Sequence, residues 1–294
     1  MPARRLPARP GTRIRFAGKP LMLDIVLIYL ATGALAGFVS GLFGVGGAYT
    51  MSPALIIALP LQGAPEAHVM HLTIGTALAV MTLTSAWVAV LRWRAGDLQL
   101  PLMLRFVPFI AGGALLGALL GDALPGLVLK IAFMSFIALT VLRGVFYRGH
   151  AAVPGGGDLA AVRGIGLWFY GTLTGFTGSL LGPGPAIIIA PWLRKHRYPM
   201  PMVSATASAL AGLLGFAGAA GYVWGGFNET GLPPWSLGYL FLPAFIGLTT
   251  GAFLGSPFGI RVSHKVPDVL LHRAFIAYLS LLLAVMIVQS VSAA

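Results

Sequence analysis

The sequence predicts an all-α polytopic membrane protein made of two similar halves, and three observations carry that expectation. Apolar residues make up 57% of the 294 positions and charged residues only 9%, with a mean hydropathy of +0.89; soluble domains carry about a quarter charged residues. Residues free of Asp, Glu, Lys and Arg run over 25–65, 67–91, 106–121, 131–142, 164–193, 198–228, 230–260 and from 274 onward. A spanning helix needs about 20 apolar residues. The third observation is that one motif occurs twice. Residues 33–55 and 171–193 align without a gap and agree at ten of 23 positions: Gly33, Leu35, Gly37, Phe38, Leu42, Gly44, Gly46, Ala48, Pro53 and Leu55 match Gly171, Leu173, Gly175, Phe176, Leu180, Gly182, Gly184, Ala186, Pro191 and Leu193.

Residues 1–22 open the chain with Arg4, Arg5, Arg9, Arg13, Arg15 and Lys19 among Pro and Gly, a basic tail expected to be disordered. Arg4-Arg5 is weakly like a twin-arginine signal, but no small-residue cleavage pattern follows, so the first apolar run reads as a retained span. Element 1 (23–58) is too long for one simple helix and is interrupted by glycine and proline. Elements 2, 3 and 4 complete a first repeat, 23–148, where Arg105 and Lys130 shorten two charge-free runs from the ends of segments of spanning length and can reach the interface with long side chains. A glycine-rich linker, 149–162, precedes the second repeat, 163–294, whose element 5 (163–193) is again long and broken. Fainter echoes join the remaining elements: Thr76-Ala77-Leu78 with Ser208-Ala209-Leu210, Gly117 and Gly121 with Gly251 and Gly255, and Pro125 with Pro267. The total is about eight helical elements.

Composition also excludes chemistry. The absence of cysteine removes disulfides, thiolate metal sites, iron–sulfur clusters and cysteine nucleophiles. The net charge of +12 comes from basic residues flanking apolar runs, the pattern of a cytoplasmic membrane face and not of nucleic-acid binding. All seven carboxylates fall at element ends or loops, and no nucleophile motif or carboxylate pair is present, so no enzyme is expected. His68 and His71 share a helix face but have only Glu66 near in sequence, too little for a metal site. No cofactor is expected.

The repeated breaks, Gly44-Val45-Gly46-Gly47 and Gly182-Pro183-Gly184-Pro185, carry the functional signal. Corresponding interruptions in two halves point to a transporter's substrate site, because backbone groups freed inside a bilayer need protein or a polar cavity around them. Helices restarting at Ala48 and Ala186 would turn N–H groups and positive dipole ends inward, a geometry that binds anions. The same glycines could serve helix packing alone. Expected substrate-binding positions are Gly44, Gly46, Gly47, Ala48, Gly182, Gly184 and Ala186, with hydroxyls of Thr73, Thr76, Ser204, Thr206 and Ser208 and the imidazole of His71. Hydroxyls bonded back to their own helix are the competing reading. Binding through N–H groups requires no fixed cation in the membrane core.

The runs G-F-x-S-G-L-x-G-x-G-G and G-F-T-G-S-L-x-G-x-G resemble the TauE/SafE sulfite exporter family over roughly residues 24–292. Prolines at 183 and 185 depart from its usual glycines. The resemblance implies a multi-pass permease of the plasma or bacterial inner membrane, exporting sulfite, organosulfonates or related small anions. A passive anion channel, an uptake permease and a non-transporting subunit are the alternatives. The lipid bilayer and a small anion are the expected partners; a homo-oligomer is compatible with the chain. Two topologies fit. Either every element crosses once, which leaves Arg194, Lys195 and Arg197 outside, or elements 1 and 5 enter and leave on one face, which inverts the halves and gathers twelve of thirteen non-tail basic residues, Lys130 excepted, on one side but leaves the basic tail outside; each breaks the positive-inside rule once.

Overall fold

The computed structural model describes residues 22–44, 47–146, 159, 162–182, 184–263 and 265–293. The tail expected to be disordered, most of the linker, Gly46 and Pro183 lie outside them. Elements 1 and 5 each divide at their break. The first gives α1 (Met22–Phe43) and α2 (Ala48–Leu61), and the second α6 (Gly164–Leu181) and α7 (Ala186–Lys195). The others are single helices: α3 (Val69–Arg94), α4 (Leu100–Ala123), α5 (Gly126–Phe146), α8 (Met200–Gly225), α9 (Leu242–Ser263) and α10 (Asp268–Ala293). Six of the described helices are long and apolar enough to cross a membrane. A two-residue hairpin ladder, β1 (Ser236–Leu237) with β2 (Leu240–Phe241), precedes α9.

Where the helices cross most closely, small residues face inward and leucines face outward, although large side chains such as Phe106 and Ile110 also fill the core. Along α4, Gly113, Ala114, Gly117, Ala118 and Gly121 are buried, while Leu104, Leu115, Leu116 and Leu119 are exposed. Lipid is as apolar as leucine, so helices gain from close backbone approach instead of from hiding large side chains. Helix α4 runs parallel to α6: a Cβ added at Gly113 would strike the Thr172 carbonyl, and one at Gly117 the Phe176 carbonyl. Helix α1 runs parallel to α9 in the same way, with Gly33, Gly37 and Gly41 against the carbonyls of Leu248, Ala252 and Ser256. Between these pairs α3 and α8 cross antiparallel, Gly212 lying against Ala86 and Gly215 against Leu78 and Thr82.

Those directions place both ends of each broken element on one face. Helix α2 returns along α1, so that the Gln62 amide donates to the Tyr29 hydroxyl. Helix α7 returns along α6, with the Trp192 ring centroid 5.2 Å from that of Tyr170, the rings tilted, and beside Gly166. The α1–α2 hairpin therefore opens toward the face carrying the β-hairpin, and α6–α7 toward the opposite one. At that second face the ends of α3, α7 and α8 gather Arg92, Arg94, Arg194, Lys195 and Arg197, and α9 ends with Arg261. Arg105, at the start of α4, donates to the Val162 carbonyl at 3.1 Å. We call this the basic face; Asp24, Glu66, Asp122 and Glu229 lie at the other, the hairpin face.

Candidate functional site

Each break is built by a glycine that leaves the helix in the left-handed region. Gly44 donates to the Ser40 carbonyl at 2.7 Å, closing α1, and turns away with φ 70°. Gly47 follows at φ 73°, where an added Cβ would lie 2.9 Å from the Ala36 carbonyl oxygen, so the chain folds tightly back on α1. Gly182 donates to the Gly178 carbonyl at 2.8 Å and turns with φ 89°. These backbone conformations disfavour any residue with a Cβ. Pro185 then starts α7, its carbonyl accepting from the amides of Ile188 and Ile189 at 3.2 and 2.8 Å.

The two tips meet inside the protein. A Cβ at Gly182 would lie 3.8 Å from the Ala48 side chain, the first residue of α2. Gly44, Gly47, Ala48, Gly182 and Gly184 are all buried, and Ala186 is half-buried. On the other side of the first tip stands α8: a Cβ at Gly44 would be 3.4 Å from both the Ser204 carbonyl and the Ser208 hydroxyl. Ser208 donates to the Ser204 carbonyl at 2.8 Å, the back-bonded form anticipated for such hydroxyls. Thr73 and Thr206 are fully buried, and their hydroxyls have no hydrogen-bond partner.

Two of the sequence candidates sit elsewhere. The Thr76 hydroxyl oxygen accepts the Phe241 amide at 3.0 Å, so it belongs to the seat of the β-hairpin. His71 lies on the hairpin face, its Nε2 at 3.0 Å from the Leu124 carbonyl and its ring stacked on Tyr239 at 4.9 Å. His68 stands beside it, with Nε2 3.7 Å from a Glu229 carboxylate oxygen and Nδ1 3.5 Å from the Tyr239 hydroxyl. Burial, then the nearby Glu229 and Asp122, push the Tyr239 phenol up to about 12, which keeps its proton in place at physiological pH. No group of three or more metal-ligating side chains forms among the described residues.

Sequence reasoning missed Arg92. Read as a flank of α3, it is instead only 4% exposed. One terminal nitrogen donates to the Gly41 carbonyl at 3.4 Å, the other lies 4.0 Å from Asp97, and Nε has no partner. The signal was present in the spacing of Met81, Ser85, Val88 and Arg92, a helical stripe whose first three members face inward.

The family model for sulfite exporter TauE/SafE matches residues 29–286 of this chain. The chain belongs to the TauE/SafE family. It is similar to a protein of Haemophilus influenzae described as a probable membrane transporter, 26% identical over 260 residues that cover 88% of this chain and 96% of that protein. A second probable membrane transporter, from Methanocaldococcus jannaschii, is 24% identical over 84% of this chain and 88% of its own length. No solved structure matches. This TauE/SafE protein is therefore a multi-pass membrane transporter and not an enzyme.

Proposed function

We propose that this transporter moves a small sulfur oxyanion, sulfite or a short organosulfonate, held where the two broken hairpins meet. The observation that carries the reading is the contact of Gly182 with Ala48, which brings both breaks to one buried place. There the α2 start contributes free N–H groups and the positive end of its dipole. Ser204 and Ser208 line one side of it. Among the described residues no Asp or Glu side chain is fully buried, so no buried carboxylate repels an anion at the tips. Donors without counter-charge suit a solute that must bind and leave.

Sidedness follows from charge. Basic residues concentrate on cytoplasmic faces; the basic residues at the helix ends outnumber the six that precede α1, whose start lies on the hairpin side, so the basic face is assigned inside and the β-hairpin outside. Export then runs from the face of Arg94 and Lys195 toward the hairpin, which covers the outer end of α3 and α8: the Tyr239 amide donates to the Tyr222 carbonyl at 3.3 Å and the Phe241 amide to Thr76. Release requires the hairpin to move from that seat. The two halves act as inverted units, rocking against each other about the tips. With the cell interior negative, each unit of negative charge leaving gains about 2.3 kcal/mol per 100 mV, enough to drive export without a coupled ion.

Purified protein in liposomes loaded with sulfite and poised inside-negative should release sulfite faster than protein-free liposomes, and collapsing the potential should slow it. Efflux of sulfite and organosulfonates no faster than in protein-free liposomes overturns the reading. Efflux that ignores the potential but follows a pH gradient overturns its uncoupled form and directs attention to His71.

A further inference from the structure

We propose that Arg92 is the loading site for the oxyanion on the basic face, with the Asp97 carboxylate as the partner that the anion displaces. The inference rests on the function proposed above and names its first fixed charge. Among the described residues Arg92 is the only buried lysine or arginine. Its guanidinium has five N–H donors in a planar fork suited to two oxygens of one anion. Here that fork is poorly matched, with partners at 3.4 and 4.0 Å and none on Nε. A buried cation left with weak partners is strongly disfavoured, and an ionisable group within a membrane segment marks a solute path by default.

Position supplies the second argument. The carbonyl that Arg92 reaches belongs to Gly41, one turn before Gly44, and Gly44 adjoins Ser204 and Ser208. An anion on the guanidinium is thus about one helical turn from the first tip. Asp97 is held nearby because its amide donates to the Arg92 carbonyl at 3.0 Å, folding the loop after α3 back onto the helix end. Its Oδ2 is buried and has no hydrogen bond of its own. The pair is loose enough to open. A sulfur oxyanion offers the guanidinium two oxygens at hydrogen-bond distance where Asp97 offers one at 4.0 Å. When the anion moves on to the tip, Asp97 closes over the charge again. A helix-capping arginine would show the same contact with Gly41 but would not discriminate anion concentration.

The experiment measures initial sulfite efflux in proteoliposomes against internal sulfite for the parent protein, Arg92→Lys, Arg92→Gln and Asp97→Asn. Absence of efflux from the parent would refute the proposed function and not this inference specifically. Given parental transport, Arg92→Gln should raise KM about tenfold or more, the size of a lost charge-assisted hydrogen bond, with Arg92→Lys recovering some of it. Asp97→Asn, which removes the competing carboxylate, should lower KM several-fold. A parental KM in Asp97→Asn, or an Arg92→Gln protein that loses maximal rate at unchanged KM, would overturn the assignment in favour of capping. If Arg92→Gln does not fold, Asp97→Asn decides alone.

Discussion

The two broken hairpins share a packing scheme and differ at their tips. Helix α1 lies on α9 as α6 lies on α4, glycine backbone against carbonyl in both crossings. At the first tip Gly44, Val45, Gly46, Gly47 and Ala48 all carry an N–H, whereas Pro183 and Pro185 at the second carry none. The first tip faces Ser204 and Ser208, and Arg92 reaches the last turn of its helix. The second tip touches Ala48, while Thr76, which echoes Ser208 in sequence, is occupied by Phe241. The crossings tolerate little change because one added methyl group is enough to push a pair of helices apart; at the tips it is the left-handed glycines Gly44, Gly47 and Gly182 that are fixed, while the residues around them differ. On the function proposed above, the donors for an anion would be concentrated at the first tip, with the second serving as a wall.

The largest expected effect sharpens that contrast. Gly44→Ala should reduce transport more than about tenfold, because the left-handed backbone is strained by roughly 1–2 kcal/mol for an L side chain and the new methyl also fills the space beside the Ser204 carbonyl and Ser208 hydroxyl, where the anion is proposed to sit. Gly182→Ala carries the same strain but meets only Ala48, at 3.8 Å, so a loss of about tenfold is expected. Efflux rates normalised to protein inserted in the vesicles decide the matter. Equal losses would erase the functional distinction between the tips.

A smaller effect addresses the hairpin. The chain has no cysteine, so His68→Cys with Glu229→Cys introduces the only two thiols, at positions whose native side chains approach to 3.7 Å. A short, membrane-impermeant bis-maleimide added to intact cells, forming a thioether with each thiol, should join them and slow transport about tenfold, while each single variant treated alone keeps its rate. Cross-linked protein that transports at full rate would show that the ends of α3 and α8 beneath the hairpin stay together during export. Labelling only after the membrane is permeabilised would place the hairpin face inside and reverse the assigned sidedness.

Much of this architecture is written in residue pattern. The breaks were legible because glycine and proline recur at Gly44 and Gly182, at Pro53 and Pro191, inside otherwise unbroken apolar runs, and physics leaves few uses for such interruptions. The choice between one crossing and a returning hairpin was not legible. Both satisfy the apolar lengths, and the deciding contacts, Gln62 with Tyr29 and Trp192 with Tyr170, join residues whose types carry no directional code. Thr76 and Ser208 look equivalent in sequence because their helices do; the β-hairpin that separates them is a tertiary event, with Phe241 lying 165 residues from Thr76. Arg92 was hidden by its neighbour Arg94, since two arginines at a helix end read as an interfacial flank until the helix phase is followed through Ser85 and Val88.

The smallest effect tests what the two hairpins have in common, the glycine crossings, and uses two adjacent residues of α4. Gly113 is buried against α6, and a methyl there would collide with the Thr172 carbonyl; Gly112 faces outward with nothing within 4 Å. Overpacking of this kind destabilises by about 1–3 kcal/mol. Replacing an unconstrained helical glycine by alanine instead stabilises by roughly 0.5–1 kcal/mol, through the restricted unfolded chain and better helix propensity. Gly113→Ala should therefore lower the thermal midpoint in detergent, and Gly112→Ala should leave it level or raise it slightly, although the two differ by one position. The α1–α9 crossing should repeat the first result in Gly37→Ala, whose methyl would strike the Ala252 carbonyl. Matching losses in Gly113→Ala and Gly37→Ala, with Gly112→Ala unaffected, are expected if both crossings hold their helices at backbone contact. A loss in only one of the two would mean that the halves differ in packing as well as at their tips.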